Sequence, residues 1–125
     1  MSEKIAASHV KLKRAYDGAS ADDGVRILID RLWPRGVKKT DAAIDQWAKE
    51  LAPSTELRQW FGHDAERWSQ FCERYAAELQ QHAQELQALR ATARQQPITL
   101  VYAAHDEAHN NAVVVRKLLL GQPVA

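Results

Sequence analysis

The chain has 125 residues, a net charge of +1, 46% hydrophobic and 26% charged residues, and one cysteine. This length fits one domain that buries a core without disulfides. The near-neutral charge excludes a global attraction to nucleic acid or to an anionic membrane surface. The lone Cys72 excludes an internal disulfide framework and fits a reducing compartment. No apolar run reaches the roughly 20 residues of a membrane span, so we expect a cytoplasmic protein without membrane association.

Two strands are predicted in the first quarter of the chain. Residues 1–9 are expected to form a flexible N-terminus, and residues 10–121 a single domain. Over residues 10–16 apolar and charged side chains alternate, which is typical of a half-exposed strand near a sheet edge. Residues 25–29 are almost continuously apolar, interrupted by Arg26, and predict a more central strand.

Helices are predicted next. Thr40 or Asp41 can cap a first helix, which would end at Pro53 and whose apolar residues share one face, namely Ile44, Trp47, Ala48 and Leu51. Ser54 can cap a second, short helix that closes at Gly62. The first two helices would thus fill residues 40–61.

The third predicted helix is long. It would begin at Asp64 and run for about 30 residues, or roughly 45 Å, which exceeds what a domain of this size needs. Its apolar stripe is more typical of a core-facing helix than of a coiled coil. We therefore expect a break or a frayed tail among its glutamines, or an overhang through which the chain forms a homodimer.

A last strand and helix complete the predicted fold. Pro97 ends the long helix, and residues 98–103 form a fully apolar strand. Asp106 can cap a fourth helix, which ends before Gly121. Apolar strands joined by a long helical crossover favour parallel pairing. The predicted class is α/β: a small, mainly parallel sheet of about three strands, packed with four helices, one of them long.

Polar residues gather where two of the predicted strands end. The strand at 25–29 leads into a segment that we call the arginine turn, residues 30–36, with the sequence Asp-Arg-Leu-Trp-Pro-Arg-Gly. The end of the last strand supplies Tyr102, His105, Asp106, His109 and Asn110. Ligands of open α/β sheets bind at the carboxyl ends of the strands. If the two strands are parallel neighbours, both groups share one edge, and we predict the site there.

The arginine turn has the chemistry of an anion site. Arg31 and Arg35 carry planar, permanently charged forks that bind carboxylate or phosphate bidentately. The proline stiffens the turn, the glycine permits close backbone approach, and Trp33 could stack on a ring. The structural alternative is that Asp30 pairs with Arg31 or Arg35 and that Trp33 belongs to the core.

Candidate roles follow from these residue types. The predicted ligand-binding residues are Arg14, Asp30, Arg31, Trp33, Arg35, Arg58, Tyr102 and Asn110. The predicted proton-transfer residues are His63, Asp106 and His109, because an imidazole beside arginines titrates near neutral pH. Hydrolysis or group transfer would be the natural reaction class. The alternative for His63 and Asp106 is that they cap helix ends, and no cofactor is indicated.

Two histidines four residues apart raise the question of a metal. His105 and His109 would share a helical face, but the zinc-protease pattern needs glutamate directly after the first histidine, within a continuous helix. Here Asp106 follows, and the segment straddles a predicted helix start, where acidic residues are explained by the helix dipole. We predict no metal site.

The chain also resembles a known family, the YeaO-like branch of the domain of unknown function 488 family. The resemblance covers about residues 10–120 and is carried by KRAYD at 13–17, DGVRILIDRLWPRG at 23–36, LAPSTELR at 51–58, WFGHD at 60–64 and YAAHDEAHNNA at 102–112. It implies a small single-domain α/β protein without a settled biochemical activity. Some relatives carry a transcription-regulator label of the MarR type, but no winged-helix arrangement is predicted here.

Three functional hypotheses stay open. The first is a cytoplasmic protein that binds or acts on a small ligand bearing phosphate or carboxylate at the arginine turn. The second is a nucleic-acid-binding or regulatory protein that uses the basic N-terminal third, since residues 1–39 hold nine Lys/Arg against five Asp/Glu. The third is an interaction module whose long helix pairs with a partner helix.

Overall fold

A computed structural model describes residues 5–124 and contains one parallel four-stranded sheet. Its strands are β1 (Val10–Arg14), β2 (Val25–Leu28), β3 (Gln46–Trp47) and β4 (Ile98–Tyr102), in the spatial order β1-β4-β2-β3. All three strand pairings are parallel. The predicted α/β class and parallel sheet are confirmed, with β1 at an edge and β2 inside.

The region predicted as the first helix is not one helix, and that prediction is wrong. One α-helical turn forms, α1 (Lys39–Ala42), the chain then pairs with β2 as β3, and a 3₁₀ turn follows at Lys49–Leu51. Asp45 N donates to Arg26 O and Ala48 N donates to Leu28 O, at 2.9 and 2.8 Å. The exposed edge of β2 thus finds its hydrogen-bond partners here, and this outweighs the helical spacing of the apolar residues.

The short second helix is α2 (Thr55–Phe61), and its predicted ends are confirmed. Ser54 Oγ accepts a hydrogen bond from Leu57 N at 3.1 Å, as an N-cap does. Gly62 follows the last turn in the left-handed conformation with φ +54°. The chain therefore leaves α2 in a sharp turn, and this turn carries His63.

The long helix is broken where the glutamines predicted it. It consists of α3 (Trp68–Leu79) and α4 (Ala83–Gln95), joined by a 3₁₀ turn at Gln80–His82. Asp64 caps a 3₁₀ turn, Ala65–Arg67, that precedes α3. The apolar stripe of both helices packs into the core of the same domain through Phe71, Cys72, Tyr75, Leu79, Leu86, Leu89 and Ala93.

The last helix, α5 (Asn111–Leu119), starts later than predicted. Its N-cap is Asn110, whose side-chain oxygen accepts from Val113 N at 3.2 Å. Asp106 instead closes a turn four residues earlier, where its Oδ1 accepts from Ala108 N and His109 N at 2.9 Å. The prediction that Asp106 caps this helix is wrong, because Asn110 is also a strong capping residue and lies next to the apolar stretch that packs on the sheet.

Two apolar clusters lie on opposite faces of the sheet, since consecutive strand residues point to opposite sides. The major core contains Ile27 and Leu100 together with α2 to α5, and the minor core contains Ala15, Leu28 and Val101 with Trp33 and Trp47 against them. The sheet is thus a single layer with a core on each face, and most of the helices pack on the face of the major core. None of the described helices has the length and apolarity needed to cross a membrane.

Residues 1–4 of the predicted flexible terminus lie outside the described part of the chain. Ala7–His9 form a 3₁₀ turn. His9 Nδ1 lies 2.6 Å from Ala93 O, and Arg116 donates to Ala7 O at 3.1 Å. The flexibility of this terminus stays a prediction.

Candidate functional site

A cavity of about 400 Å³ opens at the carboxyl ends of β2 and β4. The arginine turn forms one wall, α2 and the turn after it form a second, and the loop between β4 and α5 forms a third. Its lining consists of Tyr16, Asp30, Arg31, Leu32, Trp33, Pro34, Arg35, Ala52, Pro53, Arg58, Phe61, His63, Phe71, Ala103, Ala104, His105, His109, Asn110 and Asn111. Both polar groups that were predicted at one sheet edge thus contribute side chains to the cavity, although Tyr102 and Asp106 are not part of its lining.

Asp30 joins the walls of this cavity. Its Oδ2 accepts from Ala103 N at 2.9 Å, and its Oδ1 accepts from Asn111 Nδ2 at 3.0 Å. Trp47 Nε1 donates to its backbone oxygen at 2.7 Å. Burial raises the pKa of Asp30 above its ordinary 3.8, while hydrogen bonds from Asn111 and Ala103 and the charge of Arg58 work in the opposite direction. The carboxyl group therefore ties β2 to β4 and α5.

Three guanidinium groups line the cavity without a carboxylate partner. Within residues 5–124, Arg31, Arg35 and Arg58 form no ion pair, and their side chains are exposed. Arg31 donates one hydrogen bond, to Pro53 O at 3.3 Å. The structural alternative, in which Asp30 pairs with Arg31 or Arg35, does not form among the described residues, and the Asp30 oxygens instead accept from Ala103 N and Asn111 Nδ2.

The arginine turn is held from both of its ends. Trp33 Nε1 donates to Val37 O at 2.7 Å, and its ring meets Trp47 edge-on at 5.4 Å. Tyr16 donates from its hydroxyl to Arg35 O at 3.0 Å. Trp33 also packs on the minor core, as the structural alternative predicted for this side chain. Part of the same residue lines the cavity.

Three histidines line the cavity, and one of them has a carboxylate partner. His109 Nδ1 lies 3.0 Å from Asp106 Oδ2, and the His109 ring meets Trp68 edge-on at 5.1 Å. The hydrogen bond with His109 lowers the pKa of Asp106 below its ordinary value. An ionised carboxylate accepts a hydrogen bond from Nδ1–H, which leaves Nε2 as the nitrogen of His109 without this partner.

His63 reaches the cavity through an unusual backbone conformation. Its φ is +59°, directly after the left-handed Gly62, and few residues other than glycine adopt this region. The ring of His63 lies 6.2 Å from that of Phe61. The tight end of α2 therefore brings His63 beside the apolar part of the lining.

Eight of the eleven predicted site residues line the cavity, and three do not. Asp106 contacts it only through His109. Arg14 donates to Ala104 O at 2.9 Å and lies 3.3 Å from His105 Nδ1, so it supports the loop behind the lining. Tyr102 is 3% exposed and belongs to the major core. Burial raises the pKa of its hydroxyl.

Other lining residues were not predicted. Asn111 is the one that matters most, because its side chain bridges Ile29 O and Asp30. Asn110, which was predicted, is buried and mainly caps α5. The two adjacent asparagines in the sequence were the signal that could have indicated Asn111. The late start of α5 decides that Asn111, and not Asn110, contacts Asp30. The remaining unpredicted residues include Tyr16, Phe61 and Phe71, and His105, which was placed at this sheet edge without a role, also lines the cavity.

The histidines and carboxylates of the site do not form a metal-binding set. In the described range, 5–124, no three or more His, Cys, Asp or Glu side chains are grouped so that they could hold a metal ion. The nearby carboxylates of Asp30 and Asp106 are already engaged by protein donors. The lining thus presents cationic, imidazole and apolar groups.

Comparison with known proteins gives consistent results. Residues 9–123 match the family described as "Inactive DUF488-N3 subclade". The chain is 50% identical over 107 residues to the uncharacterised protein YeaO of Escherichia coli (strain K12). The aligned region covers 86% of this chain and 93% of YeaO. It is 38% identical over 118 residues to an uncharacterised protein of Mycobacterium tuberculosis (strain ATCC 25618 / H37Rv), covering 94% and 99% of the two chains. No solved structure matches significantly. The chain therefore belongs to the inactive DUF488-N3 subclade, as a YeaO-like member.

Proposed function

We propose that this protein binds a small anionic ligand, bearing phosphate or carboxylate, in the cavity behind the arginine turn. The observation that carries the proposal is the convergence of three guanidinium groups without carboxylate partners on one cavity, among the residues described. Unpaired arginines in a concave site supply bidentate hydrogen bonds and charge to an anion. The cavity volume lies at the small-molecule end of the usual range of roughly 300–1,000 Å³.

The preformed shape of the arginine turn supports the same proposal. Hydrogen bonds from Tyr16 and Trp33 and the Asp30 bridge fix this turn against β4 and α5. A turn that is already fixed loses little conformational entropy when it binds a ligand. The main-chain path of Arg31 and Arg35 therefore needs no rearrangement to accept an anion.

Binding without turnover is favoured over catalysis. The family description uses the word "inactive". In the proposal His63 and His109 contact the ligand as hydrogen-bonding groups, and Asp106 orients His109. The proton-transfer role that their residue types predict would return if the purified protein turned over a phosphate ester. The proposal includes a cytoplasmic location, because a single cysteine fits a reducing compartment.

Calorimetric titration of the purified protein tests the proposal. The probes are inorganic phosphate, a phosphate monoester, a dicarboxylate and a neutral sugar, all at one ionic strength. A ligand that binds the folded state also raises the melting temperature by mass action. We expect the anions to bind and the sugar not to bind. Arg58→Gln should weaken anion binding by about tenfold or more, because a hydrogen bond to a charged group contributes about 1.5–3 kcal/mol.

Two further variants complete this test. Arg35→Ala should also weaken binding and leave the melting temperature of the free protein unchanged, since its side chain is exposed. Arg94→Gln is the matched control, because Arg94 is exposed on α4 and is not part of the cavity lining. Absence of binding for every anion, or an equal loss in the Arg94 variant, would contradict the proposal.

The nucleic-acid alternative has less support. Several basic side chains of the N-terminal third are bonded to the protein itself: Lys11 to Asp22, Lys13 and Arg26 to Asp23, and Arg14 to the loop after β4. A homodimer through the long helix also stays a prediction, to be tested by the mass in solution. The apolar stripe of that helix is buried in its own domain.

A further inference from the structure

We infer that the ligand is a planar ring that carries a phosphate monoester, with the phosphate at the arginines and the ring against the aromatic wall of the same cavity. This inference rests on the proposed function and adds the chemical class of the ligand. It starts from the uneven distribution of charge and apolar surface over the lining. The arginine turn and α2 each supply both guanidinium and aromatic side chains, and α3 adds Phe71.

The charge of the lining matches a phosphate monoester. Three arginines and Asp30, when ionised, give the lining a net charge of +2 with the imidazoles counted as neutral. A phosphate monoester carries about −1.5 to −2 at neutral pH. A monocarboxylate would leave at least one guanidinium without its anionic partner. By charge, a phosphate monoester is therefore a better match than a monocarboxylate, and the dicarboxylate probe tests the other doubly charged class.

The size and lining of the cavity require more than the phosphate. Inorganic phosphate would fill a minor part of about 400 Å³ and would leave in water the exposed apolar side chains of the lining, Leu32 and Tyr16. Removing such apolar surface from water is favourable in proportion to its area. The ligand that uses this cavity fully thus joins the anion to an apolar group.

The geometry of the wall favours a planar group. Phe61 and Phe71 stack at 4.4 Å and are 5% and 2% exposed, so they form the base of the wall. The more exposed rings of the lining are those of His63, 6.2 Å from Phe61, and of Tyr16 and Trp33. Rings stack preferentially on other rings and on guanidinium planes. Arg58 and Phe61 are three residues apart on α2 and so share one helical face. One face of α2 thus presents both the charge and the ring contact.

The test compares four probes by calorimetry on the intact protein: phenyl phosphate, cyclohexyl phosphate, inorganic phosphate and phenol. We expect phenyl phosphate to bind at least about tenfold more tightly than inorganic phosphate, which corresponds to 1.4 kcal/mol. Cyclohexyl phosphate should lie between them, and phenol should not bind measurably. Arg58→Gln should weaken the binding of phenyl phosphate by about tenfold or more, as for the other anions.

A ring-side variant makes the test specific. His63→Asn removes the imidazole, and asparagine tolerates the positive φ of this position. The preference for phenyl over inorganic phosphate should fall about fivefold or more. His82→Asn, at the 3₁₀ turn outside this cavity, is the control and should keep the preference.

The outcomes separate the two proposals. Equal affinity for phenyl and inorganic phosphate overturns the ring and leaves the anion site standing. Equal affinity for phenyl and cyclohexyl phosphate overturns the planar group. No binding of any phosphate overturns this inference. If the dicarboxylate also fails to bind, the proposed function is overturned with it.

Discussion

At the scale of single residues, buried charge is concentrated in the pair Asp23 and Arg26. The two side chains are 5% and 3% exposed, and their atoms Oδ2 and Nη1 lie 2.6 Å apart. Ser20 and Lys13 also donate to the Asp23 carboxylate. Arg26 Nη2 is buried with no hydrogen-bond partner among the described residues. This arginine therefore depends on Asp23 for compensation of its charge.

We predict that Asp23→Ala lowers the free energy of unfolding by about 3–5 kcal/mol, because it leaves the Arg26 charge buried and uncompensated. Urea denaturation measures this quantity. The neighbouring Asp22→Ala is the control, and its effect should stay within about 0.5 kcal/mol since Asp22 is exposed. A loss for Asp23→Ala as small as the control's would mean that the Arg26 charge is solvated after all.

The same carboxylate predicts how stability depends on pH. Burial alone would raise the pKa of Asp23, but hydrogen bonds from Ser20, Lys13 and Arg26 outweigh it and hold the pKa well below its ordinary 3.8. The folded state thus binds this proton less readily than the unfolded state. The contribution of Asp23 is fully present above the unfolded pKa of 3.8 and is lost as the pH falls further. Urea midpoints between pH 5 and 2 should fall more steeply for the wild type than for Asp23→Asn.

At the scale of secondary-structure elements, β2 begins where Gly24 packs closely against Pro97, the residue before β4. Gly24 has φ +68°, and a Cβ at this position would lie 2.0 Å from the backbone oxygen of Pro97, which accepts a hydrogen bond from Val25 N at 3.1 Å. Gly18 has the same φ, but a Cβ there would have no atom within 4 Å. Both glycines thus have a positive φ that side chains disfavour, but only Gly24 also lacks the space for a Cβ atom.

Substitution of both glycines by alanine separates these two effects. Gly18→Ala should cost about 1–3 kcal/mol for the unfavourable backbone conformation alone. Gly24→Ala should cost clearly more, because β4 and β2 must also move apart where their pairing starts. Thermal and urea unfolding measure both. Equal costs for the two variants would show that the strands adjust freely at this point.

A second element-scale prediction concerns the cap of α2. Ser54 Oγ accepts from Leu57 N and donates to Glu78 Oε2 on α3 at 2.6 Å. Ser54→Ala should therefore lower the free energy of unfolding by about 1–2 kcal/mol, the upper half of the usual range for a lost N-cap. Thr55→Ala, at an exposed position of the same helix, is the control. Should both variants unfold at the same urea concentration, the cap would add nothing to stability.

At the scale of the whole molecule, the two cores share one sheet and should unfold together. Trp33 and Trp47 pack on the minor core, whereas Trp60 and Trp68 pack on the major core. Small single domains usually unfold in one cooperative transition. The double variants Trp33→Phe with Trp47→Phe and Trp60→Phe with Trp68→Phe each keep reporters in one core. In each variant we expect the unfolding transition followed by fluorescence to coincide with the transition followed by circular dichroism. An earlier transition in one core would show two separate cooperative units.

The sequence by itself determined the local features of this protein. Alternation and apolar runs predicted β1, β2 and β4. The capping residues Ser54 and Gly62 predicted both ends of α2, because short-range sterics and hydrogen bonds act within a few residues. The placement of two arginines directly after β2 was also readable, since it needs only the order of the residues. The excessive length of the long helix predicted a break, a frayed tail or an overhang, and the structure has the break.

Only the tertiary structure decided the rest. The segment after α1 became β3, because the open edge of β2 offered backbone partners that no local pattern reveals. The start of α5 moved to Asn111, and this shift put Asn111 rather than Asn110 on Asp30. Local spacing is compatible with several structures, and long-range hydrogen bonds and packing select among them. For the same reason the composition of the cavity lining, with Phe61, Phe71 and Tyr16 beside the arginines, was visible only in the folded chain.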